Sequence, residues 1–184
     1  MKNQTATLTR LLAPACLVAA LCLLASDLIT MFELAPPSAP TIESQTGGDH
    51  HGYANTVVAV FAIAALAVAI LTPSRPAAVA VAVAGAVALA IFLLIDLPDA
   101  NETGTVTGEA GSYLDAEANP AGGFYLELIS ALALTITGLA LALLPTDQLA
   151  KLRPGAKQQG RGKRQRQVGK SKPGKDAGRA PKRA

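Results

Sequence analysis

Four long stretches of the chain carry almost no polar side chains: Leu11 to Phe32, Thr56 to Leu71, Ala77 to Ile95 and Gly123 to Leu144. About 20 apolar residues in a helix cross the hydrocarbon core of a bilayer, with a range of roughly 17–25. The first, third and fourth stretches meet that length; the second meets it when Tyr53 to Thr72 is included. Ala78 to Ala90 alternates Val and Ala with period two, a strand pattern in water. In lipid the backbone must satisfy its own hydrogen bonds, so helix is expected there as well. The pattern predicts helices over about 11–32, 54–72, 77–96 and 123–144.

The connections agree with that division. Thr72-Pro73-Ser74-Arg75-Pro76 is a tight turn, with Pro76 suited to a first helical turn, where its missing N–H is no loss. Pro145 closes the last helix, and the two longer connections are rich in Gly, Pro, Asn and Asp, as surface loops are. The expected fold is all-α: a four-helix transmembrane bundle, up-down-up-down, over 11–145, between a short N-terminus (1–10) and a basic, disordered tail (146–184). The first stretch also has features of a signal peptide, with Lys2 and Arg10 before it and small residues up to Ala25. It nevertheless stays apolar through Ile29 and Met31, which favours a retained span.

Composition supports a lipid solvent. Only 16% of residues are charged, against roughly 25% in soluble domains, and 51% are hydrophobic. Charge then orients the helices. Lys2 and Arg10 precede the first stretch, Arg75 lies in the short turn, and every other basic residue follows the fourth stretch. The two long loops and the adjoining helix ends hold only acids, from Asp27 to Asp49 and from Asp96 to Glu127. Basic residues mark the cytoplasmic side, so both termini are expected in the cytoplasm and both long loops outside a bacterial plasma membrane. Phe32, Tyr53, Phe92, Phe124 and Tyr125 fall where an outer aromatic belt would sit.

Candidate chemistry is sparse. Asp27, Asp96 and Glu127 lie inside or against apolar stretches, near the outer edge. As helix-end residues they would simply reach water. A second reading comes from the helix faces. Glu127 shares one face with Ser130, Ala131, Gly138 and Ala142, opposite Ile129, Leu132, Ile136, Leu139 and Leu143; Asp27 shares a face with Ala13, Cys16, Ala20 and Thr30. Small and polar stripes of this kind face neighbouring helices. Asp27 and Glu127 would then meet and hold a proton or a cation between them. Asp49-His50-His51 carries both histidines of the chain, a candidate metal-ligand set without a spaced partner group of its own; together with Asp27 and Glu127 the histidines could form a divalent-cation site at the outer face. Cys16 and Cys22 point to different helix faces and read as packing residues.

From Gly155 onward the chain is Lys, Arg, Gly, Gln, Pro and Ala with little to bury. Lys163, Arg164, Arg166, Lys170 and Lys172 are the residues expected to contact anionic lipid headgroups. With no aromatics interleaved, nucleic acid is not the expected partner. The run Leu93-Leu94-Ile95-Asp96-Leu97-Pro98, a loop with Gly111-Ser112-Tyr113-Leu114, and Gly123-Phe124-Tyr125-Leu126-Glu127-Leu128 opening an Ala/Leu/Gly helix resemble a loose group of small, uncharacterised actinobacterial membrane proteins with four helices. The resemblance implies the topology and no activity. No nucleophile–base pair or phosphate loop points to an enzyme, and no cofactor is expected. The functional expectation is a membrane protein with a structural or interaction role, with the bilayer and another membrane protein as partners; the alternative is a small cation- or proton-handling transporter or envelope sensor using the outer acids.

Overall fold

The computed structural model describes residues 2–36, 43–100, 102–107 and 113–152. The basic segment with Lys163, Arg164, Arg166, Lys170 and Lys172 lies outside the described residues.

Four long helices pack in a ring: α1 (Lys2–Ser26), α3 (Ala54–Leu71), α4 (Arg75–Ile91) and α6 (Gly122–Ala142). α1 packs against α3 and α6, and α4 packs against the same two. Three of these segments, Ala54–Leu71, Arg75–Asp99 and Gly122–Ala142, are long and apolar enough to cross a membrane; the apolar part of α1, Leu11–Ser26, is shorter. The outward faces are greasy, with Val57, Phe61, Val83, Ile129, Ile136 and Leu143 all more than half exposed. Such outward faces are compatible with a membrane location.

The interior is filled by small residues, among them Ala20, Ala59, Ala62, Ala69, Ala78 and Ala131, with Leu23, Leu134 and Leu141 between them. Small side chains let backbones approach, and dispersion between close helices replaces the hydrophobic effect inside lipid. α4 and α6 approach most closely. A Cβ placed on Gly85 would lie 2.5 Å from the Thr135 nitrogen, and one on Gly138 would lie 2.8 Å from the Ala82 nitrogen. The reciprocal pairing of 85 with 135 and of 138 with 82 shows that the two helices run antiparallel.

The fold is not a plain helical bundle. Both long connections form β structure, giving a four-stranded antiparallel sheet of β1 (Thr30–Ala35), β2 (Glu43–Thr46), β3 (Thr103–Thr107) and β4 (Tyr113–Pro120) in the order β2-β1-β4-β3. The expected all-α class fails here. Each loop alone holds too little apolar surface to announce a strand. The two become strands by pairing with each other, Phe32 to Ala35 against Pro120 to Glu117. The first helix accordingly ends at Ser26, not near 32, and the chain re-emerges as β1. Between Thr30 and Phe32 the register slips. The bulge lets the consecutive residues Met31 and Phe32 both turn inward, where both are buried.

The aromatic belt is revised in the same region. Phe32, Phe92 and Phe124 form a buried cluster, with ring centroids 5.8 Å apart for Phe32–Phe124 and 4.7 Å for Phe92–Phe124. Only Tyr53 and Tyr125 remain exposed. The sheet supplies a second apolar surface that the helices alone lack, and the phenyl rings fill the gap between them. At the opposite end, the start of the supposed tail is ordered: Thr146–Leu152 is a short helix, α7, that covers α1 and α3 and buries Leu149.

Candidate functional site

Among the described residues the buried polar and charged ones are Ser26, Asp27, Asn55, Asp96, Glu127 and Ser130, and all lie at the sheet-capped end of their helices.

The His-His pair sits on a single helical turn, α2 (Gly47–His51). The two glycines before the histidines bring this turn down onto the end of α1. The Gly48 N–H donates to the Asp27 carbonyl at 2.8 Å, and a Cβ on Gly47 would lie 3.0 Å from the Ser26 carbonyl oxygen. Thr46 and Asp49 start the turn. The Asp49 N–H donates to Thr46 Oγ1 at 3.2 Å, and the Thr46 hydroxyl donates to Asp49 Oδ2 at 2.6 Å. Gly52 and Tyr53 then both take left-handed backbone, at φ 59 and 63, and swing the chain into α3. For Tyr53 that conformation costs about 1–3 kcal/mol, a strain that the packing on both sides must hold.

Asp27 reinforces this corner. Its Oδ2 accepts the Thr56 N–H at 2.7 Å, a charged cap on the first turn of α3. The side chain of Asp27 therefore ties α1 to α3, while its carbonyl holds α2.

Asp96 approaches from α4. The helix loosens into a π turn over Phe92–Asp96 before the short α5 (Leu97–Asp99). A π turn rotates the residues that follow it, and such turns occur often at functional sites. Here Asp96 is fully buried, while Leu94 on the same turn is 77% exposed. Glu127, on the second turn of α6, completes the set from the opposite wall and is also buried.

These residues converge. His51 Nε2 lies 3.0 Å from Asp96 Oδ1 and 3.7 Å from Glu127 Oε2. His50 Nε2 lies 3.1 Å from Asp99 Oδ2 and 3.7 Å from Asp96 Oδ1. The imidazoles meet edge to face with centroids 4.7 Å apart, and Phe32 packs against His50 at 5.3 Å. One donor atom from each of His50, His51 and Asp96 falls within 4.8 Å of the others, a group able to hold a metal ion.

The separations are short, but the alignment is poor. Both Asp96 oxygens, both His51 ring nitrogens, His50 Nε2 and Glu127 Oε1 are buried without a hydrogen-bond partner. The His51–Asp96 contact is thus short but poorly aligned for an N–H···O bond. Burial by itself lowers the pKa of His51, but the proximity and charge of Asp96 and Glu127 outweigh it and push it up to about 10. His50 is lowered, by burial first and then by the charge on His51; Asp99 and Glu127 offset only part of this.

The structure redistributes the residues picked out by sequence. His50, His51, Asp96 and Glu127 come together. Asp49, expected beside the histidines as a ligand, is exposed and engaged in capping α2. Asp27, expected opposite Glu127, is engaged at the start of α3, and Glu127 faces His51. Asp99 and Asn55 had no signal in the sequence beyond their type. Asn55 is fully buried with neither amide atom hydrogen-bonded. Cys16 and Cys22 are both free. No family model, curated protein or solved structure matches this chain.

Proposed function

We propose that this chain is a small integral membrane protein that binds a cation at the outer, sheet-capped end of its bundle. The observation that carries this is the set of buried ring nitrogens and carboxylate oxygens, drawn from α2, α4 and α6, that approach one another without hydrogen bonds. A buried polar group without a partner costs about 1–3 kcal/mol, more if charged, so a convergent group of them is expected to have a ligand. The remainder of the bundle core is Ala, Leu and Val with Cys16, and no file of polar side chains among the described residues leads to the other end. That favours a binding or sensing role over conduction. Four spans with both termini cytoplasmic and the basic tail on anionic lipid complete the reading. The acid-only loops and the outward apolar faces support it.

Two measurements test it. Reporters fused after Gln45 and Ala110 should read external and one after Gly160 internal; an external Gly160 reporter would overturn the topology. In detergent, chelator-treated protein should gain thermal stability on addition of at least one of Zn2+, Mn2+, Ca2+ or Mg2+. Flat melting curves with all four would overturn cation binding.

A further inference from the structure

Resting on that reading, we infer that the site is built for a first-row transition dication of the zinc class, held by His50, His51 and Asp96 and closed by Glu127 from α6.

Donor chemistry comes first. Two imidazole nitrogens with carboxylate oxygens suit zinc and its neighbours, whereas Ca2+ and Mg2+ take oxygen ligands almost exclusively. Spacing agrees. Ligands about 2.1 Å from an ion stand roughly 3.0 Å apart along an octahedral edge and roughly 3.4 Å apart along a tetrahedral one. The contacts His51–Asp96, His50–Asp96 and His51–Glu127, at 3.0, 3.7 and 3.7 Å, bracket those values, and the donor atoms of His50, His51 and Asp96 all lie within 4.8 Å of one another, so an ion would draw the wider pairs inward.

Charge points the same way. Asp96 and Glu127 are buried and Asp99 rims them, yet the chain has no Lys or Arg between Arg10 and Arg75 or between Arg75 and Lys151. Arg75 begins α4, at the end of that helix away from Asp96. Lys151 pairs with Asp147. Apart from the histidines, no cationic side chain among the described residues serves these carboxylates. A dication would neutralise two of them and supply the missing partner to ring nitrogens and carboxylate oxygens together.

The ligands also come from three separate elements. Binding would pin the strained α2–α3 corner to the π turn of α4 and the start of α6, so occupancy and order of the sheet-capped end are coupled.

The test uses the full chain, purified in detergent with an affinity tag free of histidine and stripped with chelator. Zn2+ and Co2+ should each raise the melting temperature by several degrees, while Ca2+ and Mg2+ at the same concentration should not. Bound Co2+ should show the intense visible bands of four-coordinate nitrogen and oxygen ligation. His50→Gln, at a partly exposed position, should weaken Co2+ binding by about 100-fold or more, since even outer-shell changes at metal sites cost roughly 10–100-fold. Glu127→Gln should weaken it less and shift the bands toward higher coordination. Glu117→Gln, on the exposed strand β4, should do neither. Stabilisation by Ca2+ or Mg2+ but not by Zn2+ or Co2+ would overturn the transition-metal assignment and leave the cation site standing. No response to any of these ions or to Mn2+ would remove both. Equal Co2+ affinity in His50→Gln and the parent would place the ion elsewhere and overturn the assignment. If Asp96→Asn fails to fold, the His50→Gln comparison still decides.

Discussion

Asp27→Ala separates two accounts of the acids at the sheet-capped end. If Asp27 faced Glu127, removing it would relieve repulsion and stability would hold or rise. In the structure its Oδ2 instead receives the Thr56 N–H at 2.7 Å. A hydrogen bond to a charged group contributes about 1.5–3 kcal/mol, and the Thr56 N–H would be left in the first turn of α3 without this acceptor. The favourable field of the α3 N-terminus on the carboxylate adds about 0.3–1 kcal/mol. Opposing this, Asp27 is 1% exposed and its Oδ1 has no partner, so alanine also removes some desolvation cost. The net expectation is a loss of about 2–3 kcal/mol. At roughly 2–4 °C per kcal/mol for a chain of this size, the melting temperature in detergent should fall by about 4–12 °C. Asp27→Asn keeps an acceptor oxygen at the same place and should lose under about 1 kcal/mol. The α2 turn is held by the Asp27 carbonyl, which neither substitution touches, so cation affinity should change by less than about tenfold. A melting temperature for Asp27→Ala at or above the parent value would refute the capping role, as would an Asn variant as damaged as the Ala variant.

Three further outcomes follow from the same geometry. Gly85→Val and Gly138→Val each place a side chain against the backbone of the facing helix, and should each cost about 1–3 kcal/mol in detergent melts; Val83→Leu, on an outward face, should be neutral. In chelator-treated protein, His51 carries a folded pKa of about 10, above the roughly 6.5 of a free imidazole. Its stabilising contribution is therefore complete below the free value and is lost as pH rises toward and through the folded one, so His51→Gln should flatten the decline in melting temperature between about pH 7 and pH 10. Asp49→Asn should leave cation affinity within about twofold and cost about 1 kcal/mol or less, the loss of a charged cap on a short exposed turn.

Much of the helical layer is legible from residue type alone. Val and Ala alternation from Ala78 to Ala90 did not become a strand: α4 runs from Arg75 to Ile91, as expected of a long apolar stretch that satisfies its own backbone hydrogen bonds. The inward face of α6 is equally plain: Glu127, Ser130, Ala131 and Gly138 are buried, while Ile129, Ile136 and Leu143 face outward. Periodicity reports which side of a helix is small, and small sides pack. His50, His51, Asp96 and Glu127 also stand out by type, as polar or ionisable residues beside apolar stretches.

What residue type could not settle is which of them meet. That depends on contacts between segments far apart in the chain. β1 and β4 are strands because they pair across more than 80 positions, as in Phe32 with Pro120, and neither carries enough alternation to be seen alone. That sheet, together with the buried phenyl rings, closes the end of the bundle and keeps water from the acids. The π turn rotates Asp96 inward, and the Gly47-Gly48 approach sets the histidines above it. Asp27 and Asp49, whose spacing looked as promising, are taken by nearby donors, Asp27 by the Thr56 N–H and Asp49 by the N–H and hydroxyl of Thr46. The sequence by itself determined the apolar helices and their inward faces, because those follow from local periodicity and from the backbone's need for hydrogen bonds. Only the tertiary structure decided which carboxylates face the histidines, because a side chain's partner is set by the competition among all donors and acceptors that the folded backbone brings within reach.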